Sequence, residues 1–120
     1  MSQGKKKRIE TSDVGDVTVV EFVDKRILDE QNILLIGEQL AELVDDLGKR
    51  KVLLNFANVE YLSSAALAKL MTLNKKVKAV SGQLKLCSIK PEIREVFRIT
   101  NLDKLLKIYD TDEKALADFS

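Results

Sequence analysis

A chain of 120 residues, 45% hydrophobic and 32% charged, fits a single domain with a real core. Twenty bases nearly balance nineteen acids, and the resulting net charge of +1 points to no strongly charged partner. With no histidine, His-centred triads, His-bearing zinc sites and imidazole base catalysis are closed off; without tryptophan and with aromatics at 5%, base-stacking platforms for nucleic acid are disfavoured.

Residues 1–8, ending in Lys5-Lys6-Lys7-Arg8, read as a disordered basic tail. No apolar h-region follows them, so they are not a signal peptide. No apolar run approaches the roughly 18–20 residues that span a bilayer, and the lone Cys87 suits a reducing, cytoplasmic setting. A single domain is expected over 9–119. Ile9–Ser12 is a candidate strand, 13–16 a turn, and the β-branched run 17–23 a second strand that completes a hairpin. A polar break follows at 24–26. Asp29 is a good N-cap, and Ile33, Ile36, Leu40, Leu43 and Leu47 recur at helical spacing up to Gly48, which predicts a helix over 29–47. Leu34 and Leu35, beside that stripe, read as extra core residues, with a dimer contact as the alternative.

Residues 52–56 are a short buried strand. A helix over 64–80 places Ala66, Leu70, Leu73 and Val77 on its apolar face, with Leu67 and Val80 on the shoulders. Ser81-Gly82 ends it and 83–88 forms another strand. Pro91 then opens a helix to about Ile99 at its favoured first position. A short strand at 105–109 and a last helix to Asp118, capped by Asp110 or Thr111, complete the chain. The strand–helix alternation after residue 50 calls for parallel pairs with helical crossovers. The fold class is α/β: a mixed sheet of four to five strands with about four helices.

The segment 52–67 is the most informative. Its apolar strand passes through a short turn into Ser63-Ser64 and then an alanine-rich helix, so two hydroxyls sit at a helix N-terminus. A hydroxyl there caps the helix, and a phosphate there would meet free backbone N–H groups and the positive end of the dipole. Asn55 and Asn58 flank the strand end as turn-satisfying residues, and Cys87 reads as an inert core thiol. Glu92, Arg94 and Glu95 read as surface charges, and 110–113 lacks the spacing of a calcium loop. No catalytic residue, metal site or cofactor is expected.

The strand 52–56, the serine turn, the Ser81-Gly82 break, the strand 84–88, then Pro91-Glu92-Ile93-Arg94-Glu95-Val96-Phe97 and Leu102-Asp103-Lys104-Leu105 together resemble the STAS domain family, which includes anti-sigma factor antagonists and the cytoplasmic domains of sulfate transporters. The likeness covers about residues 9–119. The family's turn is Asp-Ser-Ser/Thr-Gly, whose first hydroxyl residue is phosphorylated by a partner kinase. Laid on this chain, that acceptor is Ser64, with Ser63 at the Asp position and Ala66 at the Gly; a one-residue slip would make Ser63 the acceptor. The resemblance implies a non-catalytic module that docks an anti-sigma factor of the serine-kinase type, switched by phosphorylation and reset by a PP2C-type phosphatase. No direct nucleic-acid contact and no membrane insertion are implied. The docking surface would combine Asn58, Tyr61, Ser63 and Ser64 with Ala65, Ala68, Lys69, Thr72 and Lys76 on the outer helix face. The alternative is a docking subunit of a transport or signalling complex that binds constitutively.

Overall fold

The computed structural model describes residues 6–119. The chain opens with a hairpin, β1 (Ile9–Val14) and β2 (Val17–Phe22), paired antiparallel from Val14↔Val17 to Ile9↔Phe22. Its connection is the two-residue Gly15-Asp16, and Gly15 takes φ +62°, which a glycine adopts at no steric cost. The turn is therefore tighter than the expected 13–16, and the first strand runs two residues longer.

Next come β3 (Arg26–Ile27), α1 (Glu30–Asp45), β4 (Lys51–Asn55), β5 (Tyr61–Leu62), α2 (Ser64–Ala79), β6 (Gln83–Cys87), α3 (Pro91–Ile99), a 3-10 turn at Leu102–Lys104, β7 (Lys107–Tyr109) and α4 (Asp112–Ala117). The main sheet has the order β1-β2-β4-β6-β7, with β2, β4, β6 and β7 mutually parallel. A separate two-stranded parallel sheet pairs Arg26↔Tyr61 and Ile27↔Leu62. Among the described residues the fold is thus mixed α/β, with a five-stranded sheet and four α-helices.

Alternation along the strands divides the molecule. Val52, Leu54, Leu84 and Leu86 face a core shared with Ile33, Ile36, Leu40 and Leu43 of α1, Leu70, Leu73 and Val77 of α2, and Ile93 and Phe97 of α3. Leu53 and Cys87 point to the other face, where Val17 and Ala115 join them under α4. Among the described residues, no helix is long and apolar enough to cross a membrane.

Several expectations change. Residues 1–5 of the expected tail lie outside the described residues, but Lys6–Arg8 belong to the folded body. Gln39 on α1 donates to the Lys6 carbonyl at 2.8 Å, its Oε1 accepts from the Arg8 N–H at 2.8 Å, and Arg8 pairs with Asp24 at 2.9 Å. The helix predicted over 29–47 spans Glu30–Asp45; Leu47 is 63% exposed and Val44 takes its place in the core. Gly48, at φ +65°, turns the chain so that the Lys49 N–H reaches the Leu43 carbonyl at 2.8 Å, and Leu47 is left outside that closure. Leu34 is 54% exposed, so it is not an extra core residue, while Leu35 is half-buried. Val80, the C-cap of α2, is about two-fifths exposed. The polar break at 24–26 conceals β3, whose two residues are too few for any periodicity to register.

Candidate functional site

The loop from β4 to α2 is fixed at both ends and on two flanks. At its start the Asn55 carboxamide oxygen accepts from the Ala57 N–H at 2.9 Å, and the Val59 N–H closes a turn on the Phe56 carbonyl at 2.9 Å. From one flank, the Asn58 amide donates to the carbonyls of Phe22 at 3.0 Å and Val23 at 3.4 Å. From the other, the Lys90 ammonium donates to the Ala57 carbonyl. The far end is tied by the small sheet: the Glu60 N–H donates to the Lys25 carbonyl at 2.7 Å and the Ser63 N–H to the Ile27 carbonyl at 3.1 Å. Val59 and Leu62, both buried, pin the segment to the core. A loop held this way costs little further ordering when something docks on it.

Ser63 is the N-cap of α2. Its backbone is extended (φ −82°, ψ 168°), and its Oγ accepts from the Ala66 N–H at 3.3 Å. Ser64 is the first helical residue and is exposed, whereas Ser63 is half-buried. The two hydroxyls therefore differ in circumstance: one is engaged with the backbone, the other faces outward. In an α-helix the first N–H groups have no intrahelical partner, and α2 points that end at Ser64.

The outer face of α2 continues from the cap. Ala65, Ala68 and Thr72 are exposed, and the Thr72 hydroxyl donates back to the Ala68 carbonyl at 3.2 Å. Lys69 lies with its stem across Gly37 of α1: a Cβ at Gly37 would stand 2.7 Å from the Lys69 Cδ. Lys76 reaches α1 as well, pairing with Asp45 at 2.9 Å. Between the helices lies a cavity of about 210 Å³ bordered by Leu34, Ala41, Lys69 and Thr72. Helix α2 carries Lys69, Lys75, Lys76 and Lys78 and no carboxylate.

Asn58, Tyr61, Ser63, Ser64, Ala65, Ala68, Lys69, Thr72 and Lys76 thus occupy one loop and one helix face. Three serve structure as well: the Asn58 amide buttresses the β2 end, Ser63 caps α2, and Lys76 is committed to Asp45. Tyr61 is 48% exposed on β5, and the Arg26 guanidinium sits 6.0 Å from its ring centre. Sequence reasoning passed over Val23 and Leu28, both about two-fifths exposed in the loops beside β3; single exposed aliphatics leave no periodic signal. Of the residues set aside, Arg94 pairs with Asp110 at 2.8 Å and Glu95 with Arg98 on the surface. Arg98 holds the Glu95 carboxyl below its ordinary range. Cys87 is fully buried, and burial raises its thiol pKa.

Comparison with known proteins follows this geometry. The family model described as the STAS domain matches residues 8–115. The BtrV protein of Bordetella bronchiseptica, provisionally named an anti-sigma factor antagonist, is 33% identical over 93 residues, covering 78% of this chain and 79% of BtrV. The structure of an anti-sigma-factor antagonist (STAS) domain protein from Planctomyces limnophilus superposes with a TM-score of 0.82 at 28% identity, over 93% of this chain and 97% of that one. The anti-sigma factor antagonist SpoIIAA in its unphosphorylated form shares the fold, with a TM-score of 0.69 at 17% identity over 92% of this chain and 94% of its own. The Bacillus SpoIIAA in its phosphorylated form gives 0.70 at 16% over 91% and 96%.

Proposed function

The chain belongs to the STAS domain family, and from that premise we propose that it is a non-catalytic, cytoplasmic regulator of the anti-sigma factor antagonist type. Its docking surface is the β4–α2 loop with the outer face of α2, and its switch is phosphorylation of Ser64 by a partner serine kinase. The observation that carries this reading is the division of labour between the serines: Ser63 caps the helix while the exposed Ser64 hydroxyl stands at the first helical position.

The mechanism is local electrostatics. In the unmodified state, Ala65 and Ala68 keep the helix face low enough for close approach, and Lys69 steers an acidic partner. Phosphate on Ser64 adds about −1.5 to −2 charges at neutral pH. The free protein tolerates that charge at the positive end of α2. Inside a close interface it must be desolvated and repels carboxylates, so the partner is released without refolding. A PP2C-type phosphatase resets the switch. SpoIIAA, a neighbour in fold, is known in both phosphorylation states, which supports a switch of this kind here.

Intact-mass analysis of the protein from its own cells, with peptide mapping across residues 57–69, tests the proposal. The expected result is a single phosphate on Ser64, with Ser64→Asp weakening capture of the partner kinase and Ser64→Ala preserving it. A phosphate on Ser63 would reassign the acceptor. No phosphate under any growth or stress condition would overturn the switch and leave a constitutive docking subunit, the reading that the uncharged Ser63 favours.

A further inference from the structure

At the far edge of the sheet, β7 pairs with β6 and, among the described residues, has no strand on its other side. The Ser88 N–H donates to the Tyr109 carbonyl at 3.2 Å, so the Tyr109 backbone is turned toward β6. Alternation then turns the N–H and C=O of Ile108 outward, as an unused donor and acceptor. Alongside runs an open cleft of about 760 Å³, walled by β7 and its approach on one side and by α3 on the other. An edge strand beside a helix is the arrangement into which an extended peptide adds as a further strand.

The cleft is cationic in a chain that is otherwise nearly neutral. Arg94, Arg98, Lys104 and Lys107 line it against Glu95 and Asp103. The arginines are engaged, with Asp110 and Glu95 respectively. Lys104 and Lys107 hold no ion pair among the described residues and both are exposed, Lys107 on the α4 side of the strand edge, where its charge also acts on Asp118. Beside them Leu105 is 54% exposed and offers an apolar contact. Charge, open backbone and an apolar foothold coincide here, on a different wall of the molecule from the outer face of α2.

We propose that the β7–α3 cleft is a second docking site, which takes an extended acidic segment of a partner protein as a sixth strand of the main sheet. The two main-chain hydrogen bonds of Ile108 set the register, and Lys104 and Lys107 pair with carboxylates on the incoming strand. A nucleic acid would use the charge but not the strand edge, and its bases would find only the half-buried Tyr109 to stack on.

The test titrates the purified full chain with a fluorescein-labelled peptide of alternating Glu and Val, read by anisotropy, with hydrogen exchange at the Ile108 amide followed in parallel. Three comparators accompany it: a Lys–Val analogue, the acidic peptide N-methylated at every second amide, and a thymidine oligonucleotide. The expected result is saturable binding of the acidic peptide and slowed exchange at Ile108. N-methylation and the Lys104→Glu/Lys107→Glu double variant should each weaken binding about tenfold or more, the double variant keeping its circular dichroism because both positions are exposed. The proposal is overturned if the acidic peptide fails to bind up to millimolar concentration, if the Lys–Val analogue binds equally, or if N-methylation has no effect. Tighter binding of the oligonucleotide would also overturn it, by making the cleft a polyanion site.

Discussion

On one face of the sheet α1, α2 and α3 close over a continuous core in which Phe56, Phe97 and Val77 are fully buried and the Phe56 and Phe97 rings meet edge to face at 6.3 Å. On the other, the six-residue α4 lies over Val17, Leu53 and Cys87, with Ala115 as its one buried side chain. Lys85, 3% exposed, stands on this second face; its ammonium lies 5.4 Å from the Tyr109 ring centre, 5.2 Å from that of Phe119 and 3.5 Å from the Asp118 carboxylate. The thick face is held chiefly by packing, with the Lys76–Asp45 pair at its rim, and the β4–α2 loop departs from it through Phe56. The thin face supplements little apolar area with a polar latch. Precision at the candidate site therefore draws on the first face, and α4 is the layer easiest to perturb without disturbing that site.

Adjacent residues on β4 measure the difference most directly, because Leu53 and Leu54 are both fully buried and point to opposite faces. Leu54→Ala opens a cavity in a layer that cannot collapse and should cost about 4 kcal/mol, toward the upper part of the range for buried leucines. Leu53→Ala lies under a short helix that can settle inward and should cost about 2 kcal/mol. Denaturant unfolding of the two variants checks this; equal losses would mean that α4 is as firmly seated as the three-helix layer.

A smaller effect separates the serines, which stand on the thick face. Ser63→Ala removes the oxygen that accepts from the Ala66 N–H and should cost about 1 kcal/mol. Ser64→Ala breaks no cap and should leave the unfolding midpoint within about 0.5 kcal/mol of the parent, as surface substitutions do. If Ser64→Ala proved the more damaging, the assignment of cap and acceptor would have to be exchanged.

The elements legible in the sequence were those with a long period or a strong terminal signal. The stripe Ile33-Ile36-Leu40-Leu43 announced α1, Pro91 announced the start of α3, and the serine pair announced the start of α2. Where the chain turns by backbone geometry the signal was weaker: Leu47 carries the right spacing, yet the left-handed Gly48 closes the helix before it. Two-residue strands leave no periodicity, so β3 was hidden although β5 is half of what pins the candidate site. Lys85 was equally opaque. A lysine in an apolar strand reads as an edge or surface residue, and only the arrival of Tyr109, Asp118 and Phe119 from the far end of the chain accounts for its burial.

The latch on the thin face gives the smallest predicted effect and the one with a definite sign in pH. The Tyr109 hydroxyl donates to the Asp118 carboxylate, and Lys85 lies beside it; the hydrogen bond first and the ammonium second hold the Asp118 carboxyl below its ordinary range. A carboxyl whose folded pKa is depressed contributes stability that is fully present above its unfolded value, about 4, and is lost as pH falls through the lower folded value. Asp118→Asn should therefore be less stable than the parent at pH 7, and the two should converge once the parent's carboxylate is protonated, since asparagine and the neutral acid are alike in charge. Urea midpoints measured from pH 7 downward decide the matter, and Cys87, the chain's one thiol, reports on the same event from beneath α4. At neutral pH, Asp118→Asn should label faster with a thiol reagent than the parent if α4 lifts as a unit. A midpoint difference that persisted unchanged into acid would show that the substitution acts through packing, and the thin face would then differ from the thick one in area alone.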